Sequence, residues 1–312
     1  MNTVKVSSKE TPINYQIVTQ KIKDSKLDDL GNATIREIKR LVDEIEKGTG
    51  EKFIRMEMGI PGLPPAKVGV QAEIDALKKG VAAIYPDIYG IAQLKTEASR
   101  FIKLFMNVDV SPEGCIPTAG SMMGSFASFM TLNRCDNKKD TVLLINPGFP
   151  VHMQQLKVLG IKSESFDVYN YRGEKLRDKL ESYLKKGNIS CLLYSNPNNP
   201  SWICFTEKEL KIIGELCNKY DVIPIEDLAY FAMDFRKDLS KPGQPPYQPT
   251  VANYTNQFIL TISSSKAFSY AGQRIGLLVI SDDLFNRSYP NLKNYYAKDL
   301  FGYSMIFGTL YA

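Results

Sequence analysis

Residues 189–230 read ISCLLYSNPNNPSWICFTEKELKIIGELCNKYDVIPIEDLAY. The β-rich run Ile189–Tyr194 and the apolar run Val222–Asp227 flank a helical stretch announced at Thr206. Thr206 followed three residues later by Glu209 is a capping box, in which each side chain satisfies a backbone N–H at the helix start. Two strands with a helix between them need a crossover, so the stretch predicts a parallel βαβ unit. Both runs end in polar residues: Ser195-Asn196-Pro197-Asn198-Asn199-Pro200 after the first, and Asp227-Leu228-Ala229-Tyr230 at the second.

The same rhythm extends outward. Thr141–Asn146, Phe258–Ser263 and Ile275–Ile280 are further β-rich runs. Two of them lead into polar clusters, Asn146-Pro147-Gly148-Phe149 and Ser263-Ser264-Ser265-Lys266. An α/β fold follows, with a mainly parallel sheet covered by helices. In open α/β sheets ligands sit beyond the carboxyl ends of the strands, so four polar clusters on one rim imply a single site. Upstream, residues 32–48 predict an amphipathic helix with Ile35, Ile38, Leu41, Val42 and Ile45 on one face, Asn32 as cap and Gly48 as terminator. A short apolar strand is expected just before the glycine- and proline-rich passage Gly59–Pro65. A second helix is expected from Ile91 to Met106, burying Leu94, Ala98, Phe101, Ile102 and Phe105. Lys241–Pro249 reads as a surface loop, and the chain has no internal repeat.

The 312 residues suffice for one large α/β domain and part of a second. The net charge of +5 is spread along the chain without dense basic clusters, which argues against a nucleic-acid partner. Five scattered cysteines form no CxxC pair and no Cys/His cluster, so no metal site is expected and a reducing compartment fits. The first thirty residues are polar and lysine-rich, unlike a signal peptide, and no apolar run reaches the length of a membrane span. A soluble cytoplasmic protein with no membrane partner is the expectation.

Four features carry chemistry. Lys266 follows a strand end among small hydroxyl residues, and such an amine becomes a nucleophile when desolvation or a neighbouring cation lowers its pKa. Asp227 ends an apolar strand, where a carboxylate is costly unless a cation or N–H meets it; a helix cap is the plainer alternative. Arg274, eight residues beyond Lys266, lies in Gly272-Gln273-Arg274-Ile275-Gly276, where glycines permit close approach and the guanidinium fork suits a phosphate. Gly120-Ser121-Met122, after Pro117-Thr118 and ahead of an apolar helix over Phe126–Leu132, reads as a strand-to-helix turn whose amides form an anion site. Each alone has an ordinary alternative, such as a surface lysine, an ion pair or a solvated turn.

Taken in order, these features, with Phe149 and the Asn-Pro-Asn-Asn-Pro run, resemble the class I/II aminotransferases, fold-type I pyridoxal-phosphate enzymes of the aspartate aminotransferase superfamily. The resemblance runs from about Gly59 to Ile280. It implies a three-layer sandwich over residues 51–285, a small-domain contribution from 1–50, and the start of an interdomain helix in 286–312. The implied activity moves an amino group between an amino acid and a 2-oxo acid in two half-reactions.

The resemblance also implies roles. Lys266 holds pyridoxal 5'-phosphate as an imine and shuttles the substrate α-proton. Asp227 pairs with the pyridinium nitrogen and keeps the ring an electron sink. Asn199 and Tyr230 hydrogen-bond the ring oxygen; Tyr230 joins Lys266 and Asp227 in catalysis. The amides of Gly120, Ser121 and Met122, the Ser263 hydroxyl and Arg274 hold the phosphate, while Phe149 stacks on the ring. Tyr85, in Tyr85-Pro86-Asp87-Ile88-Tyr89-Gly90, matches a tyrosine that reaches the phosphate of the partner subunit, so a homodimer is implied. His152 falls where some members carry a histidine that orients the aspartate; a helix-surface position is the alternative. Gly59 and Asn199 are assigned to substrate binding.

Two departures stand out. Members usually continue Asn-Pro with Thr-Gly, whereas Ser201-Trp202 follow Pro200 here, a change expected to alter the turn around Asn199. Members also continue well past the position of Ala312, and the arginine for the substrate α-carboxylate lies in that part, so none is nominated; a fragment and a natural truncation both fit. A β-lyase, a decarboxylase and a non-catalytic cofactor-binding module share the motifs quoted.

Overall fold

The computed structural model describes residues 13–27 and 29–307. It forms two compact units, one ending at Ile60 and one starting at Pro61.

The first unit holds helices α1 (Tyr15–Ser25) and α2 (Ile35–Thr49). The side chain of Asn32 lies outside the described residues, and Thr34 caps α2 instead. Its hydroxyl accepts the Glu37 N–H at 3.3 Å while the Glu37 carboxylate accepts the Thr34 N–H at 2.8 Å. The helix runs past Gly48 and closes at Gly50, which adopts φ 74°. The expected strand before Gly59 does not form. Ile54 and Met56 are 92% and 85% exposed, and no strand among the described residues pairs with this segment. A single extended run without a partner leaves its ladder groups to water. Arg55 here bridges Asp43 at 2.6 Å and Glu57 at 2.5 Å.

The second unit opens with α3 (Lys67–Lys78) and α4 (Ala92–Met106). Then strands and helices alternate: β1 (Cys115–Ala119), α5 (Ser121–Leu132), β2 (Thr141–Asn146), α6 (Pro150–Leu159), β3 (Lys162–Asp167), α7 (Lys175–Leu184), β4 (Ile189–Ser195), α8 (Glu207–Tyr220) and β5 (Ile223–Leu228). After a long loop come β6 (Ile259–Ser263), the one-turn α9 (Ser264–Ala267), β7 (Ile275–Ile280), α10 (Asp282–Phe285) and α11 (Phe301–Met305).

The strands form one seven-stranded sheet in the order β1-β7-β6-β5-β4-β2-β3. Only β7 runs antiparallel to its neighbours. The carboxyl ends of β1 to β6 and the amino end of β7 therefore share one rim. Alternate strand residues enter two separate cores, as the pleat requires. Leu143, Leu192 and Leu260 pack with α4, α7 and α8 on one face. Val142, Leu193 and Ile259 pack with α5, α6 and α11 on the other. Helices on both faces of a mixed sheet make this an α/β sandwich.

The five β-rich runs read from the sequence are β2, β4, β5, β6 and β7. The two further strands lie at the sheet edges, where signals are weak. β3 (KSESFD) is polar because one side of an edge strand faces solvent, and Phe166 is its one buried residue. β1 contains Pro117, which an edge strand tolerates because its missing N–H costs no central ladder bond. The Thr206–Glu209 capping box forms as read. Residues 286–300 make turns with one 3-10 segment, Pro290–Asn294, and Phe301 and Met305 of α11 are buried in the second core. No helix of the described residues is long and apolar enough to cross a membrane.

Candidate active site

Asp227 sits near the end of the central strand β5 and is only 5% exposed. Its sheet neighbours are Ser195 on β4 and Thr261 on β6, in direct register. Both hydroxyls donate to it at 3.2 Å, and the Ala229 N–H adds a third bond at 3.1 Å. Neither Ser195 nor Thr261 stood out in the sequence, because only strand register makes them neighbours of the aspartate. His152, in the first turn of α6, is buried, with Nε2 3.7 Å from Asp227 Oδ2. The helix-surface reading of His152 thus does not hold. Burial lowers the imidazole's pKa, against the pull of Asp227. Its Nδ1 is buried without a hydrogen-bond partner among the described residues, and Nε2 is the ring nitrogen that faces the aspartate.

Lys266 lies one strand away, in α9 just past β6. Burial, and then the Arg274 charge, lower the pKa of its ammonium, the direction that makes an amine nucleophilic. Its Nζ stands 5.9 Å over the ring of Tyr230. Burial and the Asp227 carboxyl raise the Tyr230 phenol, which stays a donor. Ser263, buried at the end of β6, accepts the Ser265 N–H at 3.1 Å and so caps the turn that carries the lysine.

Arg274 precedes β7, and Gly120 follows β1, the next strand. Gly120 adopts φ 84°, and a Cβ there would strike the Arg274 guanidinium. Its N–H already donates to the Thr118 carbonyl at 2.8 Å, and its missing side chain leaves room for the guanidinium. The Ser121 and Met122 amides, first in α5, have no carbonyl four residues back within the helix. Gly276 on β7 packs so closely that a Cβ would lie 2.6 Å from the Gly120 carbonyl carbon.

Past β4, the buried Asn196 and Asn198 fix the loop. Asn196 donates to Glu226 at 2.9 Å, and Asn198 donates to the Pro147 carbonyl at 2.7 Å. Asn199 is half-buried. Ser201 closes the turn onto Asn198 Oδ1 through its N–H (3.1 Å) and hydroxyl (2.6 Å). Phe149, half-buried after β2, meets His152 edge-on with ring centroids 5.8 Å apart. Tyr85 is not gathered with this group; it is 95% exposed in a loop whose Gly90 packs on Pro117 of β1. Gly59 belongs to the first unit and is exposed.

The model of the family described as aminotransferase class I and II matches residues 51–301. The chain belongs to that family. It is 28% identical over 234 residues to a probable aspartate aminotransferase of Methanocaldococcus jannaschii, covering 74% of this chain and 58% of that one. With an aspartate aminotransferase of Sulfolobus acidocaldarius it shares 23% over 260 residues, 81% of this chain and 61% of the relative. The chain thus spans about three-fifths of the length of these curated relatives. An aspartate aminotransferase structure from Thermotoga maritima superposes with a TM-score of 0.68 at 18% identity, covering 92% of this chain and 73% of that one, a likeness of fold. The family's cofactor is pyridoxal phosphate, and the donors on this rim fit it. The glycine–arginine cradle suits a phosphate, Phe149 offers an aromatic face, Asp227 a fixed acceptor, and Lys266 an amine. No group of three or more metal-ligating side chains occurs among the described residues.

Proposed function

We propose that this protein is a pyridoxal-phosphate-dependent aminotransferase that moves an amino group between an amino acid and a 2-oxo acid. One observation carries the reading: β5 bears a buried aspartate held by three donors, the adjacent β6 leads into the lysine, and the next two strands carry the glycine–arginine cradle. In this reading the Ser121 and Met122 amides, Ser263 and Arg274 bind the phosphate. Gly120 leaves it room, and Phe149 covers the ring. The cofactor supplies an aldehyde for Lys266 and a ring that accepts the electrons of the substrate Cα–H bond. Asp227, aligned by His152, Ser195 and Thr261, holds the ring nitrogen protonated. Asn199 and Tyr230 donate to the ring oxygen. With its amine freed from the cofactor by the substrate's own amine, Lys266 Nζ would be the base that accepts the substrate α-proton.

The reading includes a cytoplasmic homodimer with Tyr85 reaching the partner's phosphate site. A run of exposed apolar residues, Val68, Leu77, Ile84 and Tyr85 among them, supports it. It also includes a small-domain contribution from residues 1–50 and substrate contacts from Gly59 and Asn199.

Borohydride reduction after incubation with pyridoxal phosphate, followed by peptide mapping, tests the core of it. The label is expected on Lys266; a label on another lysine overturns the site. Given an amino acid alone, the loaded protein should release about one equivalent of oxo acid and stop until a second oxo acid is added. Sustained ammonia release would make it a β-lyase, and carbon dioxide release a decarboxylase.

A further inference from the structure

Trp202, the only tryptophan, occupies a backbone conformation that bulky residues rarely take. Its φ is 57°, in the left-handed region where a Cβ crowds the backbone and glycine does not. The turn is closed from both sides. The Trp202 N–H donates to the Asn198 carbonyl at 2.9 Å, and the Asn198 N–H donates to the Ile203 carbonyl at 2.9 Å. Strain of this kind persists where the surroundings over-determine it, and it gathers at functional sites. Core burial does not account for the indole, which is 43% exposed. It meets the Tyr230 ring edge-on, with centroids 5.4 Å apart and planes at 73°. That tyrosine ring is the one beneath Lys266 Nζ. Tyr230 follows β5 in a turn, and its burial is partial, so a rigid neighbour is needed to hold the phenol in one orientation.

We propose that Trp202 is a positioning residue that fixes the Tyr230 ring beside Lys266, an inference that rests on the reading of both as cofactor ligands. The strained backbone at 202 aims the indole at the tyrosine. An edge-on aromatic pair then resists rotation of the Tyr230 ring. The indole does not itself touch the reacting atoms.

The test uses Trp202→Gly, Trp202→Phe, Tyr230→Phe and the double variant Trp202→Gly/Tyr230→Phe, all in the full chain. Without cofactor, the melting temperature of Trp202→Gly should stay within about 2 °C of wild type, because glycine relieves the left-handed strain and offsets the lost ring contact. With cofactor, its dissociation constant for pyridoxal phosphate should rise roughly three- to tenfold. The pH midpoint of the bound cofactor's visible absorption should shift as it does in Tyr230→Phe. Trp202→Phe should restore most of both. In the double variant the Trp202→Gly effect should vanish, since both changes remove one device. Additive effects, or a drop of several degrees with affinity and midpoint unchanged, would show mere packing and overturn the proposal. A wild-type chain that takes up no cofactor on Lys266 overturns the reading beneath it; a wild-type chain that does, with all Trp202 variants unchanged, overturns the role of Trp202 alone.

Discussion

Lys266 and Arg274 show how two like charges serve one site. Burial lowers the pKa of the Lys266 ammonium, and the Arg274 charge lowers it further. The arrangement is tolerable because Arg274 spends one nitrogen on the Ala271 carbonyl at 3.0 Å and keeps the rest of its fork toward the cradle. Removing that cation should move the lysine back toward an ordinary amine. Arg274→Ala is therefore expected to raise the pH midpoint at which Lys266 reacts with pyridoxal, an aldehyde without the phosphate that would confound the comparison. Affinity for pyridoxal phosphate should fall about 10- to 100-fold, the worth of a charge-assisted contact. A midpoint that stays put or falls, measured from rates across alkaline pH, would remove Arg274 from the neighbourhood that tunes the lysine.

At the scale of the element, β5 carries two acidic side chains on opposite faces, and the sheet treats them differently. Asp227 turns toward α6 and the site. Glu226 turns to the other face, fully buried, and accepts from Asn196 at 2.9 Å, Thr250 at 2.6 Å and the Val251 N–H at 3.0 Å. Burial pushes the Glu226 carboxyl up to about 7, with the hydrogen bonds from Thr250, Asn196 and Val251 pulling against it. A folded-state pKa above the ordinary 4.5 means that the folded chain binds this proton more tightly than the unfolded chain. The contribution to stability is thus full below about pH 4.5 and is lost as pH rises through about 7. The melting temperature of wild type relative to Glu226→Gln should fall between about pH 5 and pH 8. Parallel curves for the two proteins over that range would contradict this. On α8, burial would raise Glu209, but the Arg172 fork and the N–H groups of Gly173 and Thr206 outweigh it and hold the carboxyl at about 2. Its pH dependence therefore falls in the acid range and does not overlap that of Glu226.

For the whole molecule, the telling feature is the set of apolar side chains exposed along residues 68–85. α3 contributes no buried residue, and Val68, Leu77, Ile84 and Tyr85 follow one another exposed along residues 68–85. Single exposed apolar residues are ordinary; the proposed homodimer would cover this group of them. Sedimentation should find a species of twice the chain mass, and Ile84→Asp should weaken its self-association roughly tenfold or more. A monomer that binds cofactor fully would sink the homodimer and the role of Tyr85 together.

Much of this was legible without coordinates. Local patterns carry strands, helix caps and the polar residues at strand ends, because hydrophobic period and capping chemistry act over a few residues. Thr141–Asn146 and Ile275–Ile280 appear within the bounds read from the chain, and Lys266, Asp227, Tyr230, Ser263, Arg274, Gly120 and Phe149 all come to one rim. Legibility failed where the decision is made between distant segments. The polar edge strand β3 and the proline-containing β1 exist because neighbours pair with them, not because their residues demand it. The segment before Gly59, apolar enough for a strand, has no strand partner among the described residues and forms none. What the chain declares locally is the string of polar residues at the strand ends, because strand and turn chemistry act over a few residues. Long-range packing sets the rest: Ser195 and Thr261 flank Asp227, His152 is buried against it, the Gly120 N–H is already engaged, and the Trp202 ring meets Tyr230 edge-on. Those are matters of register, face and packing, set by contacts between residues far apart in the chain.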